Sequence, residues 1–236
     1  MKPYQLVVFD MAGTTVTDQH EVEQCFAQAA VETGLSVSAE RILAMQGLSK
    51  RFVFETLWGE LLGADSPELT AHVDTSYQRF TEVLENHYLT HDITPTEGCL
   101  ETFAFLREQG IAIALTTGFY RKVTDIILGK LGWLEGLNAG YVGTPQTIIQ
   151  ASIASDEVPK GRPEPLMIQK AMQLLGITNL EAVVNVGDTP SDLLSGQAAG
   201  VGLNLGVTNG THSRDQLITY PHHQLIGSLA EIRDVM

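Results

Sequence analysis

Asp10 closes the apolar run Leu6-Val7-Val8-Phe9 and is followed by Met11-Ala12-Gly13-Thr14-Thr15. The run reads as a strand buried on both faces, and Gly13 lets the backbone turn sharply after it. Ligands of open parallel sheets bind beyond the carboxyl ends of the strands. A carboxylate at that spot, beside a small Ala and a Gly, can meet a substrate at close range. Alone it would read as an Asp that caps a turn, but later segments bring matching pieces. Thr116-Thr117-Gly118 follows the apolar run Ile111–Leu115, and Gly187-Asp188-Thr189-Pro190-Ser191-Asp192 follows Ala182–Val186. Between them lies Pro159-Lys160-Gly161-Arg162-Pro163. Thr117 offers a hydroxyl, and a Gly118 backbone N–H at a helix start suits an anion. Arg162 or Lys160 offers fixed positive charge. Asp188 and Asp192 are four residues apart, and with Asp10 they could hold one hard cation such as Mg²⁺ through a few carboxylates and waters. These are parts for gripping a phosphoryl group.

The elements that must position these residues alternate. Helices are expected at Leu100–Glu108, Phe119–Leu131, Leu166–Leu175 and Pro190–Ala199, with a last one near Ser228–Val235; Pro190 suits a first helical position. Strands are expected at Ile111–Leu115, Ala182–Val186 and Gly202–Val207, with a short one at Tyr141-Val142. Strands alternating with helices imply a parallel sheet with right-handed crossovers. The region between Val16 and His91 shows no strand pattern. Asp18 and Glu21 have capping-box spacing, and Val22, Cys25, Phe26, Ala29 and Ala30 share one helical face that ends at Gly34. A short helix at Ser38–Met45 and longer ones at Arg51–Leu62 and Pro67–Tyr88 complete an all-helical insert. The fold class is therefore α/β, a Rossmann-like parallel sheet with helices on both faces plus an inserted all-helical cap domain. The core comprises residues 1–16 and 96–236, the cap residues 17–95. Hinges are expected near Val16–Thr17 and Thr94–Gly98.

Composition narrows the function classes. The chain has 236 residues, of which 44% are hydrophobic and 18% charged, with a net charge of −14. That balance argues against nucleic acid and anionic membranes as partners. A small anionic substrate remains possible if a few of the 14 Lys and Arg residues, or a metal, gather at its site. Cys25 and Cys99 fit neither a zinc spacing nor a disulfide framework. No stretch approaches a membrane span, and the leading Met-Lys-Pro-Tyr has no signal-peptide pattern, so a cytoplasmic location is expected. The Asn209-Gly210-Thr211 sequon is then without consequence. The seven His residues read as solvated, Trp58 and Trp133 as core. The apolar stripe of the first insert helix suits either intradomain packing or a homodimer contact.

The set of strand-end motifs, in this order, resembles the haloacid dehalogenase superfamily over essentially the whole chain, the helical insert included. The resemblance implies that Asp10 is a nucleophile that forms an aspartyl-phosphate. It places Mg²⁺ on Asp10, the Ala12 carbonyl oxygen and Asp188, with Asp192 in support, and favours Arg162 over Lys160. Most phosphatases of that superfamily carry a proton-donating Asp two residues after the nucleophile. Here that position is Ala12, and general acid help is worth roughly 10²- to 10⁴-fold. Asp10-Met11-Ala12-Gly13-Thr14-Thr15-Val16, Cys25-Phe26-Ala27, Thr116-Thr117-Gly118, Val158-Pro159 and Gly161-Arg162-Pro163 are similar to the phosphonatase branch, the phosphonoacetaldehyde hydrolases. That branch needs no core acid. A cap lysine condenses with the substrate aldehyde, and the imine takes up the electrons of the breaking carbon–phosphorus bond. Lys50, after Gly47-Leu48-Ser49, stands at the matching place, and Gly47 joins Thr117, Gly118 and Arg162 as an expected substrate-binding residue. The chain departs from the branch at Gln46, Val53 and Phe119, where the resemblance calls for Met, His and Tyr, and its Gly143–Asp156 segment looks longer.

The expected activity is Mg²⁺-dependent, phosphonatase-like hydrolysis of phosphonoacetaldehyde or a related phosphonate, with Lys50 as the imine-forming amine. A second reading is a phosphomonoesterase on a small metabolite such as phosphoglycolate, with Lys50 only a charge clamp. A third is a catalytically silent binder of a phosphorylated ligand.

Overall fold

A computed structural model describes residues 4–236; positions 1–3 of the expected core segment lie outside the described residues. Among the described residues, six parallel strands form one sheet in the order β3-β2-β1-β4-β5-β6. They are β1 (Leu6–Asp10), β2 (Ala112–Thr116), β3 (Ala151–Ile153), β4 (Val183–Gly187), β5 (Leu203–Val207) and β6 (Gln224–Ile226). The alternation along β1 divides its side chains between two cores. Val7 and Phe9 pack with Ile113, Leu115, Val184 and Val186 on one face. There they meet Phe103 and Leu106 of α5 (Cys99–Glu108) and Val123 and Ile127 of α6 (Arg121–Lys130). Leu6 and Val8 face the other way, against Met167, Ile168 and Ala171 of α7 (Leu166–Leu174) and Ala199 of α8 (Pro190–Ala199). Helices on both faces bury β1 and β4 completely and β2 and β5 in all but their first residues, which is why these strands read as apolar runs.

The chain moves from β1 outward to β3, then crosses to β4 and moves outward the other way. The order therefore reverses between β1 and β4, the place where such sheets form a ligand crevice. Asp10 pairs with Thr116 across β1 and β2, and β4 ends one residue before Asp188.

Four helices follow β1 as expected: α1 (Glu21–Glu32), α2 (Ala39–Leu43), α3 (Lys50–Leu62) and α4 (Leu69–Thr90). Phe26, Phe54 and Phe80 from α1, α3 and α4 form their centre, with Phe26 and Phe54 stacked at 4.2 Å. The α1 stripe Val22, Cys25, Phe26, Ala29 and Ala30 is buried within the chain, so this apolar face is spent on intramolecular packing. The two chain crossings run side by side. Thr17 N–H donates to the Thr94 carbonyl at 2.9 Å, Thr96 N–H to the Thr15 carbonyl at 3.1 Å, and Val16 bridges Pro95.

The structure corrects several boundaries. Tyr141-Val142 forms no strand: Tyr141 takes a left-handed turn (φ 57°), and Val142 makes a single bridge to Ala151. The strand of that region is β3, inside the segment that looked overlong. The edge strand β6 and the short helix α9 (Arg214–Leu217) carried no apolar period long enough to notice. The last helix shrinks to α10 (Ile232–Val235) after a 3₁₀ turn at Leu229–Glu231. No helix of the described residues is long and apolar enough to cross a membrane.

Candidate active site

The backbone past β1 turns within one residue. Gly13 has φ +88°, and a Cβ there would lie 2.2 Å from Asp188 Oδ2. A glycine is thus needed both for the turn and for the approach of the second acid. Asp188 is held from two sides: its Oδ1 accepts from the Thr14 hydroxyl at 2.9 Å, and its Oδ2 from the Thr211 N–H at 2.6 Å. Asp192 caps α8, its Oδ2 accepting from Thr189 N–H at 3.0 Å and Thr189 Oγ1 at 2.5 Å. Ligand oxygens of Asp10, Asp188 and Asp192 lie within 4.8 Å of one another, all buried.

Arg162, only 6% exposed, answers this acidic cluster. Its Nη1 donates to Asp10 Oδ1 at 2.6 Å and pairs with Asp192 Oδ1 at 2.7 Å. Its Nη2 donates to Thr116 Oγ1 at 2.7 Å. The planar fork reaches these acceptors from two nitrogens, whereas an ammonium would have to reach all three from a single atom. Lys160 is exposed, so the choice between the two basic residues falls on Arg162.

Asp10, Ala12, Gly47, Lys50, Thr117 and Gly118 line one cavity. The insert reaches it through a tight loop. Gly47 has φ +79°, and a Cβ would sit 2.1 Å from Ser191 Oγ and 2.5 Å from Thr189 Oγ1. Lys50, the first residue of α3, is 7% exposed, and its Nζ donates to Gln46 Oε1 at 2.9 Å. Gln46, where the resemblance called for Met, therefore orients the amine. The free space left is about 30 Å³, room for little more than a water.

Electrostatics follow from burial. Desolvation, with the charges of Asp192 and Asp188, raises the Asp10 carboxyl well above its ordinary range, and Arg162 only partly opposes this. Burial beside Asp192 lifts Asp188 to about 6 against the hydrogen bonds from Thr211 and Thr14. Burial lowers the Lys50 amine to about 8, although Asp18 and Asp10 favour its charge. A buried cluster of hard oxygen ligands, in which Asp10 and Asp188 ionise less readily than usual, fits a small divalent cation, which would supply the missing positive charge. The chain can thus present a carboxylate to an electrophile, hold an anion with Arg162 and the Thr117–Gly118 turn, and bring up a partly deprotonated amine.

Some site residues were not foreseen. Asp18, Gln46, Phe119, Thr189 and Thr211 line the same cavity. The Asp18–Glu21 capping box does not form: the N-cap of α1 is His20, and Glu21 accepts from the Gln19 N–H, although Asp18 Oδ1 still accepts from Glu21 N–H at 2.9 Å. Thr211 belongs to the sequon set aside above. Gly118 does not start a helix, since α6 begins at Arg121; the Thr117 hydroxyl instead accepts from Phe119 N–H at 3.1 Å. His212 is buried rather than solvated, and Cys25 is a core residue whose thiol burial pushes to about 11.

The model of the haloacid dehalogenase-like hydrolase family matches residues 4–200. The phosphonoacetaldehyde hydrolase of Bacillus cereus (strain B4264) is 33% identical over 220 residues, covering 86% of this chain and 76% of that protein. The corresponding protein of Bacillus anthracis is 32% identical over the same span. Among solved structures, a phosphonoacetaldehyde hydrolase-like protein from Oleispira antarctica superposes with a TM-score of 0.78 at 18% identity, over 99% of this chain and 91% of that one. A predicted phosphoglycolate phosphatase from Haemophilus somnus 129pt reaches 0.76 at 16% identity, over 100% and 99%. At such identities the superpositions speak for the fold, and the family match and the Bacillus relatives speak for descent. With its carboxylate-bearing strand end, its acidic cluster and its helical insert in the expected order, the chain belongs to the haloacid dehalogenase-like hydrolases, on the phosphonatase-like branch.

Proposed function

We propose that this hydrolase cleaves the carbon–phosphorus bond of phosphonoacetaldehyde or a closely related phosphonate, with Asp10 as nucleophile and Lys50 as the imine-forming amine. One observation carries the reading: the core offers Ala12 where an acid would protonate an alkoxide, while the insert delivers a buried amine into the same cavity. A carbanion is too poor a leaving group for Asp10 to displace unaided. An imine on Lys50 gives the electron pair of the breaking bond a place to go. Lys50, lowered to about 8 by burial, has an appreciable neutral fraction near neutral pH, as a nucleophilic amine needs. Arg162 and the Thr117–Gly118 turn bind the phosphonate oxygens, with the Gly47 backbone closing over them.

Asp10, Asp188 and the Ala12 carbonyl would hold Mg²⁺, with Asp192 in support; when bound, the ion offsets the charge of the carboxylates and of the phosphonate. Asp10 then forms the aspartyl-phosphate, which water hydrolyses. Residues 17–95 act as a cap over the core segments 1–16 and 96–236, and lift about the paired crossings at Val16–Thr17 and Thr94–Gly98. The small free volume beneath the loop requires such opening before a phosphonate enters. The catalytically silent reading is not carried forward, since the family is one of hydrolases.

A second reading, phosphomonoester hydrolysis with Lys50 as a charge clamp, is favoured by the Lys50–Gln46 hydrogen bond, because a carbonyl acceptor stabilises an ammonium. Borohydride reduction in the presence of phosphonoacetaldehyde separates the two. The first predicts a reduced two-carbon adduct on Lys50 together with phosphate release. Brisk turnover of phosphoglycolate without any adduct would replace it with the second.

A further inference from the structure

The site as described lacks a source for one proton. The departing carbon or oxygen must acquire it, and Ala12 cannot give it. Val53 and Phe119 stand where the resemblance called for His and Tyr. The neighbouring Tyr88 and Cys25, which do not line the cavity, serve poorly. Burial raises the Tyr88 hydroxyl of α4 well above its ordinary range, and the Cys25 thiol to about 11. Asp188 is fastened by Thr14 and Thr211 on the acidic, cation-binding side.

Asp18 differs from all of these. It lies in the first loop of the insert, half-buried, and lines the cavity with Asp10, Ala12, Lys50 and Phe119. Among the charges acting on Lys50 its influence is the largest, ahead of Asp10. Its carboxyl is fixed on two counts: Oδ1 accepts from Glu21 N–H at 2.9 Å, and the side chain hydrogen-bonds the Glu21 carboxyl. Two carboxyl groups in that relation retain one proton between them. Burial first, then that hydrogen bond and the Glu21 charge, lift Asp18 to about 8, whereas Glu21 ends below its ordinary value despite its own burial. The pair therefore favours the acid form at Asp18, the member of the two that lines the cavity.

We propose that Asp18 is the proton donor of this enzyme, serving the fragment that leaves beside Lys50. The step rests on the carbon–phosphorus reading above and balances as follows. Starting from the N-protonated imine that the Lys50 ammonium and the aldehyde form with loss of water, Asp10 oxygen bonds to phosphorus as the carbon–phosphorus bond breaks, and that electron pair forms the carbon–carbon double bond of a neutral enamine on Lys50. The terminal enamine carbon then takes the Asp18 proton, which regenerates an iminium beside a new Asp18 carboxylate. Water adds to the iminium carbon and releases acetaldehyde and the Lys50 amine, and a proton from that water restores Asp18. For an ester substrate the same proton would go to the leaving alkoxide oxygen.

The test compares leaving groups in Asp18→Asn, which keeps the Oδ1 acceptor for Glu21 N–H. On phosphonoacetaldehyde kcat should fall by about 10²-fold or more, as loss of a general acid does. On 4-nitrophenyl phosphate, whose leaving group departs without a proton, the fall should stay below about fivefold. Asp18→Glu should recover part of the first loss. Wild-type kcat on phosphonoacetaldehyde should decline as pH rises through about 8, and this limb should vanish in Asp18→Asn. Groups facing Asp18 that shape the profile are Glu21 and Cys25 of α1, Lys50 of α3, Tyr88 of α4, and Asp10 and Asp188 of the core. Equal losses on both substrates, or no loss on either, would overturn the assignment. Should the wild type leave phosphonoacetaldehyde untouched, the carbon–phosphorus reading falls by itself. The Asp18 comparison then runs on phosphoglycolate against 4-nitrophenyl phosphate, with the same split expected and equal losses again decisive against it.

Discussion

Closure of the insert onto the core can be tested by a single methyl group. Gly47 is left-handed at φ +79°, and a Cβ there would stand 2.1 Å from Ser191 Oγ, where ordinary contact begins near 3.4 Å. The loop would have to retreat by about 1 Å, and misplacement on that scale costs on the order of 10²-fold in rate. Left-handed strain adds about 1–2 kcal/mol to any non-glycine residue whether the insert is open or closed. Gly34 separates the two effects: it is also left-handed, φ +85°, but its Cβ would meet nothing within 4 Å. Gly34→Ala and Gly47→Ala should therefore both lower the melting temperature by roughly 2–8 °C. Only Gly47→Ala should lose kcat/KM, by about 10²-fold, in a phosphate-release assay on phosphonoacetaldehyde and on 4-nitrophenyl phosphate. If Gly47→Ala stays within about threefold of Gly34→Ala on both substrates, the docked loop is not the catalytic arrangement, and the position given to Lys50 loses its support.

Three other outcomes follow from the same geometry. Arg162→Lys should lose at least about 10²-fold in kcat/KM because one ammonium would have to reach Asp10, Asp192 and Thr116 from a single atom, and Arg162→Ala should lower stability by about 3–5 kcal/mol in denaturant unfolding. Lys50 is protonated in both folded and unfolded chains below about 8; between there and its ordinary value the unfolded chain binds more protons, so stability rises with pH. Lys50→Met should accordingly be more stable than wild type at pH 7, by up to about 3 kcal/mol, and the gap should close by about pH 10.5; a gap independent of pH would refute the buried-amine account. Mg²⁺ at about a hundred times its dissociation constant should stabilise the protein by about 2.7 kcal/mol, an upward shift in melting temperature that EDTA reverses and Asp188→Asn abolishes.

The parts of the fold legible in the sequence were those with a long enough period. β1, β2, β4 and β5 lie deep in the sheet and are buried on both faces, so each wrote a run of apolar residues; β3 and β6 are three-residue edges and wrote almost nothing. The strand-end residues Asp10, Thr117, Asp188 and Asp192 were legible because each follows such a run. Arg162 was legible only as one of two basic candidates, since nothing local says that its side chain crosses to Asp10 from 152 residues away. Asp18, Thr211 and Thr116 escaped for a related reason. Each has a local reading that explains it fully, as a helix cap, a surface sequon and a strand terminus, and their second function exists only once β1, β4 and the insert meet. Gln46 was noticed as a departure, but its use, holding the amine of Lys50, needs the turn of chain between them to be folded.

The charge count at the centre explains why these residues occur as a set. Asp10, Asp188 and Asp192 set three negative charges against the single positive charge of Arg162. Lys50 and Asp18 add nothing to the balance in either of their paired forms, ammonium with carboxylate or amine with carboxylic acid. Burial disfavours the charged form of each, lowering the Lys50 amine and, together with Glu21, raising the Asp18 carboxyl. The acidic cluster disfavours both the approach of an anion and the ionisation of Asp10, whose carboxyl is raised by burial and by its acidic neighbours. A divalent cation held among the three acids would offset both. On the proposed reading, the proton that Ala12 cannot give is kept on the insert at Asp18, apart from the three acids that would hold the cation.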